Sequence, residues 1–264
     1  LQDRGGAYWN WDEAGFRRLW ADDPKAILPP AAKGRVPLLV LDEIHKERRW
    51  KGRLKGLYDT LENPCDILVT GSARLDLYAR GSDSMFGRYF RFRLHPFSLR
   101  EMRSAKSLAP DQVIPAIFSR SIRPSRLRQA DLQALMRFGP FPEPLFTKDD
   151  RFVKAWRETR SQTVIRSDLR DLSNIPELAR VEMMIALLPK RIGGLFSLSS
   201  LREDLEASHD AVKRWLTYLK MLYYLYEVKP FSKHINRSLR KEGKLYFWDW
   251  SEVPNPAARF ENLV

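Results

Sequence analysis

Two short apolar runs stand out in the first part of the chain, at residues 36–41 and 66–70. Uninterrupted runs of this length are typical of parallel strands that are covered on both faces. Between them, apolar residues recur at helical spacing and predict one buried helix face made of Trp50, Leu54, Leu57, Tyr58 and Leu61. The other face is basic, with Lys46, Arg48, Lys51, Arg53 and Lys55. Strand, helix and strand in this order predict a right-handed βαβ unit.

A polar, proline-containing stretch at 106–130 separates this α/β region from the rest of the chain. Beyond it, apolar residues at three- and four-residue spacing predict helices over 131–137, 148–171 and 177–190. We therefore expect an α/β core at 1–105, a linker at 106–130 and a mostly helical region at 131–264.

The helical region ends in the pattern of a winged helix. Ser200 and Glu203 have the spacing of a capping box and predict a short helix that ends near Glu206, while Asp210 can cap a second helix. The second helix carries one apolar stripe, made of Val212, Trp215, Leu216, Leu219, Leu222 and Tyr223. A hairpin-like stretch at 229–244 follows, and 245–248 can be its returning strand. Helix, turn, helix and hairpin together predict a winged helix.

Two carboxylates, Asp42 and Glu43, directly follow the first predicted strand. Ligands bind at the carboxyl ends of parallel strands, so a site is expected here. In nucleotide hydrolases of the P-loop class, the first acid holds Mg²⁺, usually through water, and the second orients or deprotonates the attacking water. The plainer interpretation is a strand that merely ends in charged residues, and the pattern alone does not separate the two.

Two further features favour the hydrolase interpretation. The second strand ends in a small polar cluster, where Thr70 or Ser72 can bind the attacking water or a γ-phosphate beside the acids. Farther on, Arg88 follows a turn bracketed by glycines at 81 and 87 and can reach a phosphate, although a solvated loop arginine explains it equally well. An alternating strand is predicted at 89–94.

The charge balance permits a polyanionic partner without proving one. Among 264 residues, 46 are Lys or Arg and 33 are Asp or Glu, a formal net charge of +13. Residues 229–244 contain six cationic side chains and one acidic residue, Glu242. In a wing the six cations would lie near a duplex backbone: Lys229, Lys233, Arg237, Arg240, Lys241 and Lys244. A solvated basic face is the commoner explanation of such a run.

The remaining composition argues against several classes of protein. One cysteine, Cys65, rules out an internal disulfide, and the four scattered histidines argue against a zinc site. No apolar run is long enough to cross a bilayer, and the first residues have no signal-peptide core. We therefore predict a cytoplasmic protein with no membrane partner.

Several stretches carry a family resemblance: Leu-Val-Leu-Asp-Glu-Ile-His at 39–45, Ile-Leu-Val-Thr-Gly-Ser-Ala-Arg-Leu-Asp-Leu at 67–77, Gly-Arg-Tyr at 87–89, Leu-His-Pro-Phe-Ser-Leu-Arg-Glu at 94–101 and Gly-Pro-Phe-Pro-Glu-Pro at 139–144. In this order they resemble a widespread prokaryotic family of AAA+ superfamily ATPases that carry a C-terminal domain of unknown function. The resemblance continues through Arg-Ser-Asp-Leu-Arg-Asp at 166–171, the helix-turn-helix region and 246–264.

The resemblance implies that the intact protein binds and hydrolyses Mg-ATP. It implies that Asp42 and Glu43 are the Walker B pair. Thr70 or Ser72 would then be the sensor on the adjacent strand, and Arg88 a phosphate-facing arginine. The phosphate loop Gly-x-x-x-x-Gly-Lys-Ser/Thr does not occur in these 264 residues, so we expect the chain to begin after it and to bind ATP poorly by itself. Family members often continue into a nuclease-like fold, so we also expect a continuation beyond Val264.

Our overall expectation is an incomplete α/β parallel sheet of P-loop type, followed by a mostly helical region with a winged helix. Mg-ATP hydrolysis would drive a conformational change in that region. ATP is the expected partner, and DNA is a candidate partner. The alternative is a non-enzymatic winged-helix DNA-binding protein with a degenerate α/β scaffold, and a third reading is a nuclease whose motif lies downstream. The biological substrate and the oligomeric state are not indicated.

Overall fold

The chain divides into two compact units, Leu1–Phe92 and Arg93–Val264. The computed structural model describes residues 5–31, 34–71, 87–103, 112, 115, 126–163, 177–231 and 243–264. The boundary between the units at 92–93 comes before the predicted linker at 106–130, most of which lies outside the described residues.

The described part of the first unit is built on a parallel three-stranded sheet. Its strands are β1 (Ala7–Asn10), β2 (Leu38–Asp42) and β3 (Asp66–Thr70), with β2 in the centre. The parallel β2–β3 pair confirms the two predicted strands. Strand β1 was not predicted, because its four residues form no apolar run.

Helices α1 (Ala14–Asp22) and α2 (Trp50–Asp59) join this sheet in one hydrophobic core. The core is made of Phe16, Trp20, Ile27, Leu39, Leu41, Ile44, Trp50, Leu54 and Leu57. The predicted stripe of α2 is wrong at two positions. Tyr58 lies about 80° around the helix from Trp50 and is 43% exposed, and Leu61 lies beyond the helix end at Asp59.

The strand predicted at 89–94 is not formed. The segment has no regular secondary structure, and Phe90, Phe92 and Leu94 expose 89%, 86% and 102% of their surface. A strand is stable only when its backbone pairs with a neighbour. Among the described residues no strand pairs with this segment, so alternation in the sequence was insufficient to form one.

The helices of the second unit begin with α3 (Arg126–Phe138), α4 (Pro142–Thr147), α5 (Asp150–Thr163) and α6 (Leu178–Leu187). The helices predicted at 131–137 and 177–190 correspond to α3 and α6. The one predicted at 148–171 corresponds to α5, but it begins later because Lys148 has a φ of 54° and ends α4. Residues 164–171 lie outside the described part of the chain.

Two helices joined by a short turn follow, α7 (Leu198–Asp204) and α8 (His209–Met221). Both predicted caps are wrong. Ser197 caps α7 by accepting from the Ser200 N–H, so Ser200 lies inside the helix, which ends at Asp204 rather than near Glu206. Ser208 caps α8, and Asp210 lies in its first turn. Extended backbone at Ser197 and Ser208, rather than the side-chain type alone, selects these caps.

The apolar stripe of α8 is buried over Val212, Trp215, Leu216 and Leu219, and Leu222 just beyond it is buried as well. Tyr223 is only half-buried, because it lies past the end of the helix with a φ of 53°. An antiparallel hairpin follows, made of β4 (Leu225–Val228) and β5 (Lys244–Phe247), and β5 confirms the predicted returning strand. Helix α9 (Pro256–Leu263) comes after the hairpin.

A buried charge cluster connects α5 to the residues that follow β5. Glu252 accepts hydrogen bonds from the Tyr224 hydroxyl at 2.5 Å and from an Arg160 N–H at 2.9 Å. Burial, together with the negative charge of Asp249, raises the pKa of Glu252 to about 7, although Arg160 opposes this shift. The Arg160 guanidinium also lies over the rings of Phe141 and Tyr224, 4.6 and 5.3 Å from their centroids. The cluster therefore connects α5 with the residue directly before β4 and with the turn after β5.

Within the described residues, no helix combines the length and the apolar character that crossing a membrane requires.

Candidate functional site

The carboxyl ends of β2 and β3 bring two predicted site residues into contact. The parallel register places Asp42 beside Thr70, and the Thr70 hydroxyl donates to Asp42 Oδ1 at 2.5 Å. Both residues are the last of their strands. The parallel pairing therefore brings these two strand-end polar groups together at one edge of the sheet, and their catalytic roles stay predictions.

The same carboxylate is also held from the other side by β1. The Tyr8 hydroxyl donates to Asp42 Oδ2 at 2.7 Å, and Asn10 Nδ2 donates to the same oxygen at 3.4 Å. Residues 8 and 10 project to the same face of their strand because side chains alternate along it. Sequence reasoning missed both residues, since β1 itself was not predicted; the polar pair at alternate positions in Tyr-Trp-Asn was the available signal.

These hydrogen bonds set the ionisation of the cluster. The Thr70 bond first, and the Tyr8 bond next, lower the pKa of Asp42. The hydrogen bond to Asp42 also raises the pKa of Tyr8, because the hydroxyl must keep its proton to donate it. Donors that bond to a carboxylate favour its charged form. Asp42 is therefore an anionic acceptor near neutral pH.

Glu43 lies beside this cluster in an unusual backbone conformation. Its φ is 57°, in the left-handed region that costs a non-glycine residue about 1 kcal/mol or more. Its N–H donates to the Thr70 carbonyl at 3.1 Å, which ties the turn after β2 to the end of β3. Its carboxylate Oε2 lies 3.3 Å from Lys46 Nζ and 3.8 Å from His45 Nε2.

Lys46 and Asp12 extend this group of charges, and neither was predicted as part of a site. The Lys46 ammonium lies 2.7 Å from Asp12 and 3.3 Å from Glu43, so one cation bridges two acids from different turns. The bond to Asp12 is the main reason that the pKa of Lys46 is raised. A sequence does not disclose such a bridge, because the two turns lie 34 residues apart.

His45 lies next to the residue that follows β3. It is buried, and its ring lies against Gly71, where a Cβ would fall 2.5 Å from Nδ1. A side chain at position 71 would therefore displace the imidazole. Among the described residues, no group of three or more His, Cys, Asp or Glu could hold a metal ion together.

The two other predicted catalytic residues have different outcomes. Ser72 lies outside the described residues. Arg88 donates from Nε to Asp59 Oδ1 at 2.9 Å, at the end of α2. Its phosphate-facing role stays a prediction.

The predicted nucleic-acid residues are described only at the two ends of their segment. Lys229 lies 2.8 Å from Glu227, and Lys244 lies 2.8 Å from Glu261. Each of these two cations is therefore paired with an acid in the hairpin or in α9. The other four candidates lie outside the described part of the chain: Lys233, Arg237, Arg240 and Lys241.

Comparison with known families separates the chain into two matched regions. Residues 2–103 match a family model described as "AAA domain". The N-terminal region is therefore similar to AAA domains. Residues 129–252 match a "Domain of unknown function (DUF8612)". The AAA-like region contains Asp42, Glu43 and Thr70, so the cluster at the sheet edge lies inside it.

Curated relatives have no described activity in their names. The chain is 24% identical over 225 residues to "Uncharacterized protein MJ1637" of Methanocaldococcus jannaschii, covering 80% of this chain and 46% of that protein. It is 23% identical over 219 residues to "Uncharacterized protein Rv2008c" of Mycobacterium tuberculosis, covering 83% of this chain and 44% of that protein. The chain thus spans about half the length of these relatives.

Among solved structures, a RuvB mutant from Thermotoga maritima overlaps 90% of this chain and 79% of its own, at 17% identity. The TM-score is 0.33, which is too low to support an argument about fold or function.

Proposed function

We propose that the AAA-like region contributes to the Mg-ATP site of an AAA+ ATPase, with Asp42 and Glu43 as its Walker B pair. The observation that carries the proposal is the hydrogen bond between Asp42 and Thr70 at the carboxyl edge of a parallel sheet. The match of residues 2–103 to the AAA domain supports it independently. In sheets of this kind, ligands bind outside the carboxyl ends of the strands.

The residues present fit a magnesium ion held through water. Asp42 is an ionised oxygen acceptor, the kind of group Mg²⁺ prefers, and Mg²⁺ commonly keeps several of its waters. A metal-bound water would donate to this carboxylate in place of its longest side-chain bond, the one from Asn10 at 3.4 Å. When bound, Mg²⁺ would neutralise charge on the phosphate oxygens.

Glu43 would accept the proton of the attacking water. Its place directly after Asp42 puts it at the same edge of the sheet, and its contacts with Lys46 and His45 restrain one carboxylate oxygen. Thr70 or Ser72 would act as the sensor, and Arg88 would face a phosphate. Hydrolysis would drive a conformational change in the C-terminal region, where α7, α8 and the β4–β5 hairpin would form a winged helix.

Two substitutions in the full-length protein test the proposal. Glu43→Gln should keep nucleotide affinity and abolish turnover, because the amide cannot accept the proton. Asp42→Asn should lose Mg²⁺-dependent binding as well, because the metal-directed charge is removed. Glu62→Gln, at an exposed glutamate of the same unit that pairs with Lys25, is the matched control. ATP hydrolysis by Glu43→Gln at the parental rate would show that the Walker B assignment is wrong.

A second candidate function is binding of nucleic acid by the C-terminal region. The order helix, turn, helix and antiparallel hairpin supports it, and Lys213 and Arg214 are exposed on α8. The pairing of Lys229 with Glu227 and of Lys244 with Glu261 weakens the basic character where the loop between β4 and β5 begins and ends. Contact would therefore depend on the cations between residues 232 and 242.

A further inference from the structure

The Asp42 carboxylate is held at both oxygens by donors from the two strands that flank it. Thr70 of β3 donates to Oδ1, while Tyr8 of β1 donates to Oδ2. The two distances, 2.5 and 2.7 Å, are those of hydroxyl-to-carboxylate hydrogen bonds, which are shorter and stronger than bonds between neutral groups. Opposed donors on the two oxygens fix the plane of the carboxylate.

Packing in the hydrophobic core does not explain why Tyr8 contacts Asp42. The side chain projects from within β1, is 49% exposed, and is not part of the hydrophobic core of the first unit. Its neighbour Trp9, in contrast, packs against that core and donates its indole N–H to the Ile27 carbonyl. The Tyr8 hydroxyl bonds to the carboxylate and also accepts from Asn10 Nδ2 at 3.5 Å.

We infer that Tyr8 is a positioning residue for the magnesium-holding carboxylate, orienting Asp42 from β1 as Thr70 does from β3. This inference rests on the proposed function. Groups that hydrogen-bond to a metal-directed ligand orient it, and their loss typically lowers metal affinity or activity by about 10- to 100-fold. Asn10, which bonds to the same oxygen at a longer distance, would make a smaller contribution.

The test uses Tyr8→Phe in the full-length protein, which removes the hydroxyl and keeps the ring. Calorimetry with a non-hydrolysable ATP analogue, in Mg²⁺ and in EDTA, separates metal-dependent binding from binding of the nucleotide alone. We expect affinity in Mg²⁺ to fall by about tenfold and affinity in EDTA to stay unchanged. Tyr58→Phe is the matched control, because Tyr58 is a similarly exposed tyrosine of the same unit.

A double-mutant cycle distinguishes positioning from a general effect on the fold. In an Asp42→Asn background, the additional Tyr8→Phe change should have no further effect on binding in Mg²⁺. If Tyr8→Phe weakens binding equally in EDTA, or equally in the Asp42→Asn background, its role does not pass through Asp42 and the inference fails.

The remaining outcomes separate this inference from the proposed function. If Asp42→Asn loses Mg²⁺-dependent binding and Tyr8→Phe behaves like Tyr58→Phe, the inference is overturned and the proposed function stands. If Asp42→Asn binds as the parent does in Mg²⁺, the proposed function fails, and the role of Tyr8 fails with it.

Discussion

The side-chain amide of Asn262 holds both backbone groups of Phe247. Asn262 Oδ1 accepts the Phe247 N–H at 2.9 Å, and Asn262 Nδ2 donates to the Phe247 carbonyl at 2.9 Å. Both residues are buried, so these bonds satisfy groups that water does not reach. A residue of α9 thus takes the place that a neighbouring strand would have beside the end of β5.

Replacing this amide should destabilise the second unit. Asn262→Leu has a similar size and leaves two buried backbone groups unpaired, which should cost about 2 to 4 kcal/mol of unfolding free energy. Glu261→Gln, at the preceding residue, weakens a partly exposed ion pair with Lys244. It should cost less than about 1 kcal/mol of unfolding free energy. Urea denaturation measures both. Equal stability of the parent and Asn262→Leu would contradict the assignment.

Removing the Thr70 hydroxyl should impair the candidate site selectively. Thr70→Val keeps the shape and loses the bond to Asp42, so ATP hydrolysis by the full-length protein should fall by about 10- to 100-fold. Thr70→Ser retains a hydroxyl and should retain most of the rate. Steady-state hydrolysis at saturating Mg²⁺ and ATP is the measurement. Parental activity in the valine variant would exclude this hydroxyl from the site.

The Glu252 cluster should make stability depend on pH. Burial first, and Asp249 next, raise the pKa of Glu252 to about 7, above its ordinary value of 4.5. Between these two values the folded state binds more protons than the unfolded state. The contribution of Glu252 to the free energy of unfolding is therefore complete below about pH 4.5 and is lost as the pH rises toward 7. A shift of this size corresponds to about 3 kcal/mol.

Glu252→Gln should flatten this part of the pH profile. The amide oxygen can still accept from Arg160, the amide nitrogen can donate to the Tyr224 hydroxyl oxygen, and the amide does not ionise. Chemical denaturation of the parent and the variant at pH 5 and pH 7.5 provides the comparison. The explanation is wrong if the parent gains stability over this interval, or if the variant has the same slope as the parent.

The basic segment between β4 and β5 should be the surface that binds polyanions, if the C-terminal region binds them. Neutralising Lys233, Arg237, Arg240 and Lys241 together should reduce the salt dependence of duplex binding by about one unit of slope per lost phosphate contact. Neutralising Arg48, Lys51 and Lys55 near and on α2 is the control and should matter less. Equal losses from both sets would mean that only net charge counts, and no binding at low salt would reject the hypothesis.

Sequence alone predicts the strands of the sheet better than it predicts the residues that meet at its carboxyl edge. Apolar runs predict β2 and β3, and parallel pairing then brings Asp42 and Thr70 together, because both end their strands. Tyr8 and Asn10 were missed because the four residues of β1 form no apolar run, although their polar side chains at alternate positions were a signal. Lys46 reaches Asp12 through a turn geometry that no local pattern encodes. The caps were misplaced because several serines and an aspartate compete within a few residues, and the backbone decides among them.

The exposed segment 89–94 has a consequence for handling the protein. Three large exposed apolar side chains at alternate positions form a pattern that can pair with a second extended chain. Arg91 and Arg93 stand between them, and charges in such a stretch act as gatekeepers against self-association. The repulsion between two copies weakens when salt screens it, over about 8 Å at physiological ionic strength. Concentrated samples should therefore be more soluble in dilute salt than in concentrated salt.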